Sequence, residues 1–204
     1  MCRHLFTAAL LVLVLCQTAI AQRSGFGLKG GLMASSATAQ QVRTSIIPGA
    51  TAGIYAPFHA GARMEIQPEL LISAMGAGFT YPDGDQVDLR TLMVQVPVSV
   101  KVFLSNSFNL QTGVQFGKVL AAYRTQDEER TTITEEMRPV DMGVTFGLGG
   151  DLSSGVDLTL RYYNGLWTIL SEDDALFARN RTLQMTLGYR LVSFKGFTAT
   201  RKRR

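Results

Sequence analysis

The sequence predicts an all-β chain, an eight-stranded antiparallel up-and-down transmembrane β-barrel. Three observations carry that expectation. Eight stretches alternate apolar and polar residues with a period of two, which sets one group on each face of a strand. After the N-terminal segment there is no long apolar run, and a membrane protein without one spans by strands. The connections alternate long and short, as they do in outer-membrane barrels. An even number of strands returns both termini to one side, so the four long loops emerge together on the other. The interior expected of so narrow a barrel is a plug of paired charges.

The third stretch, Arg63 to Met75, shows the pattern well. Met64, Ile66, Pro68, Leu70, Ile72 and Ala74 form one face; Arg63, Glu65, Gln67, Glu69 and Ser73 form the other, with Leu71 as the exception. It exceeds the roughly 9–11 residues that a tilted strand needs to cross a bilayer. Its charged face excludes a dry interior on that side.

In chain order, the first strand covers Gly25 to Met33, with Phe26, Leu28 and Leu32 opposite Gly25, Gly27, Lys29 and Gly31. A polar loop, Ala34 to Ser45, leads to a second strand from Pro48 to Phe58, and His59-Ala60-Gly61 turns into the third. The Gly/Asp-rich loop Gly76 to Asp88 contains Tyr81-Pro82-Asp83-Gly84, a turn signal. The fourth strand sets Leu92, Val94, Val96, Val98, Val100, Val102 and Leu104 against Gln95, Pro97, Ser99 and Lys101. Ser105-Asn106-Ser107 turns into the fifth, where Phe108, Leu110, Val114, Phe116 and Leu120 oppose Asn109, Gln111, Gly113, Gln115 and Gly117. The charged segment Arg124 to Pro139 precedes the sixth, with Val140, Met142, Val144, Phe146 and Leu148 against Asp141, Gly143, Thr145, Gly147 and Gly149. A short turn, Leu152 to Gly155, gives the seventh, Val156 to Tyr163, whose polar face holds Asp157, Thr159 and Arg161. After a loop from Asn164 to Asn180, the eighth sets Leu183, Met185, Leu187, Tyr189 and Leu191 against Thr182, Gln184, Thr186, Gly188 and Arg190. Pro68 and Pro97 are awkward in a closed barrel, because each removes a ladder donor; each is expected to leave a carbonyl unpaired or to sit at a bulge.

Residues 1–21 read as a secretory signal peptide: Arg3 and His4, the apolar run Leu5 to Leu15, then Ala19-Ile20-Ala21 before cleavage at Gln22. Residues 22–194 are the expected barrel and 195–204 a basic tail. Both cysteines, Cys2 and Cys16, leave with the signal, so no thiol chemistry is expected. Four positive charges sit in Arg201-Lys202-Arg203-Arg204, so the body is near neutral and the basic balance is no argument for nucleic acid.

Several motifs together resemble the PorT-like outer-membrane β-barrel family of gram-negative bacteria. They are Lys29-Gly30-Gly31, Gln67-Pro68-Glu69-Leu70-Leu71, Val96-Pro97-Val98, Asp141-Met142-Gly143, Gly147-Leu148-Gly149, Arg161-Tyr162-Tyr163-Asn164-Gly165-Leu166 and Leu187-Gly188-Tyr189-Arg190. The resemblance implies an eight-stranded barrel in the outer membrane, with one member type tied to protein secretion and no catalytic residues to carry over. The chain departs from the family at its end, where Leu191 stands in place of a terminal aromatic residue and Lys195 to Arg204 continue.

The candidate site is the inward face, with Lys29, Arg63, Glu65, Glu69, Lys101, Asp141, Asp157, Arg161 and Arg190. Eight strands leave room only for side chains or one small ligand, so these charges are expected to pair into a plug that blocks passage. No catalytic, metal or cofactor residues are expected: His59 is the only histidine after the signal, with no Ser, Asp or Glu beside it in the sequence. The acidic runs Asp127-Glu128-Glu129, Glu135-Glu136 and Glu172-Asp173-Asp174 lack the ligand spacing of a calcium loop and read as solvated. Trp167, Tyr81, Tyr123, Tyr162 and Tyr163 fit an aromatic girdle. Partners expected are outer-membrane lipid, lipopolysaccharide and other envelope or secretion proteins. The alternative is a soluble periplasmic lipocalin-like barrel carrying a small apolar ligand, with its polar face in water. The glycines on the polar face, such as Gly27, Gly31, Gly143, Gly147 and Gly188, suit a crowded lumen better than a solvated one.

Overall fold

The structure is a computed structural model that describes residues 24–39, 42–61, 63–127, 129–168 and 178–194. The expected signal peptide, the basic tail and the acidic run Glu172-Asp173-Asp174 lie outside the described residues. Among the described residues there are ten strands: β1 (Ser24–Thr38), β2 (Arg43–Tyr55), β3 (Phe58–His59), β4 (Met64–Thr80), β5 (Gln86–Phe103), β6 (Phe108–Gln126), β7 (Glu129–Thr132), β8 (Val140–Asp151), β9 (Val156–Gly165) and β10 (Arg179–Phe194). Eight of them close a ring, β1-β2-β4-β5-β6-β8-β9-β10 and back to β1, every pair antiparallel. The short β3 continues the line of β2 along β4, and β7 folds back on β6.

Closure gives each of the eight ring strands a neighbour on both sides, and it inverts the usual distribution of polarity. The outward face is apolar and bare, with Leu32 73 % exposed, Leu187 60 % and Phe146 57 %, while Glu65, Gln67, Ser99 and Lys101 are fully buried. That arrangement excludes the lipocalin-like alternative, in which the polar face meets water. It is the distribution of a wall set in lipid, where apolar-out and polar-in residues alternate along each strand.

Two expected loops are mostly strand, and a third is partly so. β1 and β2 leave only residues 39–42 between them; β4 and β5 extend through Thr80 and back from Gln86; β6 and β7 form a hairpin inside the charged segment. The period of two persists in these extensions, but the apolar set changes face. Along β4 the inward residues run Glu65, Gln67, Glu69, Leu71, Ser73, Met75, Ala77 and Phe79, all buried. Leu71, the exception in the sequence pattern, stands where this gradient begins. At the loop end Ala77, Phe79, Val87, Leu89 and Ala122 meet Ile133 and Met137, which the segment after β7 tucks inward. The Ile133 amide donates to the Ala122 carbonyl at 3.0 Å and holds that segment down.

The two prolines have separate explanations. Pro68 sends its carbonyl to the Ala56 amide, 3.0 Å, so its nitrogen faces the break between β2 and β3, where a donor is not required. Pro97 stays in the continuous β5–β6 register opposite Gln115. The β4–β5 ladder instead skips from Pro68–Val98 to Leu71–Gln95 without a register shift. The missing donor of Pro97 therefore leaves a gap in that ladder, and neither proline forms a bulge.

The face assignment predicts unequal costs for neighbouring residues. Leu187→Arg is expected to destabilise the folded barrel by roughly 2–4 kcal/mol, and the inward neighbour change Thr186→Ser by much less. Urea titration in lipid vesicles measures both, and equal effects would contradict the assignment.

Candidate functional site

The site is a layer of charge across the lumen, near the end that holds the short turns. Each side chain arrives by strand parity. β4 contributes Glu65 and Glu69, β5 Lys101, β9 Asp157 and Arg161, β1 Lys29 and β10 Arg190. The centre is Glu69. Its carboxylate receives a forked bond from Arg161, Nη1 to Oε2 at 2.9 Å and Nη2 to Oε1 at 2.7 Å. Lys29 Nζ stands 3.1 Å from Glu69 Oε1 and 3.1 Å from Asp157 Oδ1. Gln67 donates its amide to Glu69 Oε1 at 2.6 Å.

Lys101 links this group to a second one. It donates to Asp157 Oδ2 at 2.5 Å and Asp151 Oδ1 at 3.2 Å, and Glu65 lies 3.6 Å away. Arg190 completes the set at longer range, 3.9 Å from Glu65 and 3.8 Å from Asp151. Thr159 and Asn109 donate to Asp157 and Asp151. Among the described residues the layer holds four cations, Lys29, Lys101, Arg161 and Arg190, and four carboxylates, Glu65, Glu69, Asp151 and Asp157. Unpaired, a buried ion of this kind costs several kcal/mol; the balance of charge and the neutral donors around it offset that penalty.

Two expected members lie elsewhere. Arg63 precedes β4 and is exposed, because the strand starts one residue later than the sequence pattern suggests. Asp141 points inward but stands apart, receiving a bond from Asn180 Nδ2 at 2.8 Å, with Tyr163 hydrogen-bonded to it. Tyr163 is accordingly 3 % exposed and belongs to the lumen, whereas Tyr162 and Trp167 face outward. His59 is not isolated: the β3–β4 register sets it opposite Glu65, Nδ1 to Oε2 3.3 Å. Asp151 was hidden by its place beside a turn, although it continues the inward parity of Asp141 through Gly149.

Tyr55 is the other residue that pattern reading missed. It is 1 % exposed and fills the lumen beside Lys29, whose Nζ lies 5.0 Å from the ring centroid. Room for the ring comes from missing side chains: a Cβ on Gly27 would stand 2.5 Å from Tyr55 Cε1, and one on Gly188 3.1 Å. Above the charges, Thr51, Ser73 and Gln95 form a neutral hydrogen-bonded row. Beyond it, Met33, Met75 and Met93 form an apolar layer in the lumen. Among the described residues no cluster of three or more His, Cys, Asp and Glu is placed to hold a metal ion.

The profile of the outer membrane protein beta-barrel domain matches residues 17–171, most of the chain. The chain belongs to that family. Outer-membrane localisation and the lipid-facing wall follow together for this outer-membrane barrel. It is similar to Neisserial surface protein A, with a TM-score of 0.57 and 11 % identity over 82 % of this chain and 98 % of that one. It is also similar to Ail, the attachment invasion locus protein of Yersinia pestis (TM-score 0.48, 11 % identity, 83 % and 99 % covered). OprG from Pseudomonas aeruginosa gives a TM-score of 0.46 and 10 % identity, with 84 % and 97 % covered. No curated protein sequence matches the chain.

The ion pairs at Glu69 set an expected result. Glu69→Ala leaves Arg161 and Lys29 uncompensated and is expected to cost about 3–5 kcal/mol. Arg161→Ala made in the same chain is expected to recover part of that loss, giving a non-additive cycle. Additive single and double losses in reversible urea unfolding would show that the fork contributes nothing as a pair.

Proposed function

We propose that this outer-membrane barrel is a non-enzymatic, closed anchor of the PorT-like kind, whose lumen transmits nothing and whose loop end is its working surface. The observation that carries the reading is the stacking of two different seals, the balanced charge layer and the methionine layer above it. A pore needs a continuous wet path, and an enzyme needs a cleft that admits substrate beside a base and a nucleophile or acid. Here the carboxylates of the charge layer are engaged with cations, and the hydroxyls of Thr51, Ser73 and Thr159 are engaged with one another, with Gln95 and with Asp157.

The PorT-like motifs supply much of this interior. Lys29, Gln67, Glu69 and Arg161 make the centre of the charge layer, and Gly188 makes room for Tyr55. Their coincidence with the lumen network supports the finer family reading beyond the broad barrel domain. In this reading the loop end faces outside the cell, lipopolysaccharide surrounds it, and other envelope or secretion proteins meet it there in a structural, adhesion or secretion-accessory role. β4, β5 and β6 run 17, 18 and 19 residues, well beyond a bilayer span of about 9–11, and give the loop end a stiff raised wall.

Purified protein in planar bilayers is expected to show no steady ionic conductance. Reproducible single-channel currents from the unaltered chain would replace the anchor with a small pore.

A further inference from the structure

On β10 and its neighbours the outward face changes abruptly at the loop end. Leu191, Tyr189, Leu187, Met185 and Leu183 are bare and apolar, and the next two outward residues, Arg181 and Arg179, are exposed guanidinium groups. The registers fix what surrounds them. Arg181 lies opposite Asn164 on β9 and Ser36 on β1, and Arg179 lies opposite Thr38. β1 and β10 contain no carboxylate, and the one on β9, Asp157, is committed to the lumen. Among the described residues neither arginine takes part in any of the ion pairs, which elsewhere engage Arg124, Arg161 and Arg190. At the other end of the same three strands the outward residues are apolar, among them Leu28 and Leu191.

We propose that Arg179 and Arg181, with the Asn164 amide and the Thr38 hydroxyl, bind the phosphate of a phosphorylated lipid head group in the membrane leaflet at the loop end. This rests on the reading of that end as surrounded by lipopolysaccharide, and it names the residues and the group they recognise. Neighbouring strands are about 4.8 Å apart, so donors from β9, β10 and β1 fall within reach of one phosphate. Guanidinium forks suit its paired oxygens. A lipid is indicated because Arg181 sits one outward step above exposed Leu183 and two above the exposed pair Met185 and Leu32, which meet the acyl chains. The cations stand at the border where the outer face turns from apolar to polar, as phosphate does in a lipid. Other exposed cations near this end, Arg90 and Lys118, lie on β5 and β6 and serve as an internal control.

The full folded chain in detergent is titrated with bisphosphorylated lipid A and with the same lipid after phosphatase treatment, folding being checked by heat-dependent gel mobility. The unaltered chain is expected to bind the phosphorylated lipid roughly tenfold more tightly, with the difference shrinking in high salt. Arg179→Gln with Arg181→Gln should bind the two lipids alike, and Arg90→Gln with Lys118→Gln should keep the discrimination. Equal binding of both lipids by the unaltered chain overturns the proposal, and that arm decides even where a variant does not fold. Discrimination that survives loss of both arginines overturns it too. Full displacement of the lipid by equimolar inorganic phosphate would make the patch a simple anion site and overturn the lipid assignment. Failure of the unaltered chain to fold into lipid vesicles would instead contradict the membrane-barrel reading beneath it.

Discussion

Glu69 stands in the middle of a narrow lumen, fully buried, and its charge is tolerable only because Arg161 and Lys29 reach it from across the barrel. Those three residues come from β4, β9 and β1, and the Glu69–Arg161 pair alone spans 92 positions in sequence. A slip of one residue on any of these strands would turn its charged group into lipid and its apolar neighbours into the lumen. Register, closure and charge pairing are therefore one constraint. The outward leucines fix which face meets lipid, and the ion pairs fix where along the axis each strand stops.

The same strands solve a second problem beyond the bilayer. Once the wall leaves lipid its outer side must be polar, and its inner side needs another means of cohesion. The inward sets of β4 and β5 change there from charged to apolar, ending on Phe79, Val87 and Leu89. Ile133 and Met137 cover them from above. The loop-end half is thus held as a soluble protein is held, by apolar burial, while the membrane half is held by paired charges inside a shell of lipid. The methionine layer lies between these regimes, where flexible side chains fit an irregular gap.

The barrel was legible because lipid and lumen impose opposite chemistry on alternate residues, and most of the strands in the wall obey that rule plainly. Seven of the charges assigned to the lumen meet there for the same reason: Lys29, Glu65, Glu69, Lys101, Asp157, Arg161 and Arg190 keep strict parity. Parity stops informing at strand ends. Arg63 matches the pattern but falls just before β4, and Asp151, next to the expected turn Leu152 to Gly155 and outside the expected lumen set, ends β8 inside the charge layer. The extensions of β4, β5 and β6 look like loops in the sequence because their apolar residues face inward, opposite to the rule that reveals the rest. Tyr55 left no periodic signal; its place depends on Gly27 and Gly188 from two other strands, a match that only the closed ring creates.

The central claim is that the lumen is sealed between the charge layer and the methionine layer. Ser73 lies between them and is fully buried, and the only native cysteines, Cys2 and Cys16, fall in the expected signal. Ser73→Cys in the folded barrel gives a single reporter that a small charged thiol reagent must cross one seal to reach. The account predicts negligible labelling from either side in vesicles and complete labelling after unfolding. Rapid labelling of the folded protein from either side would contradict it.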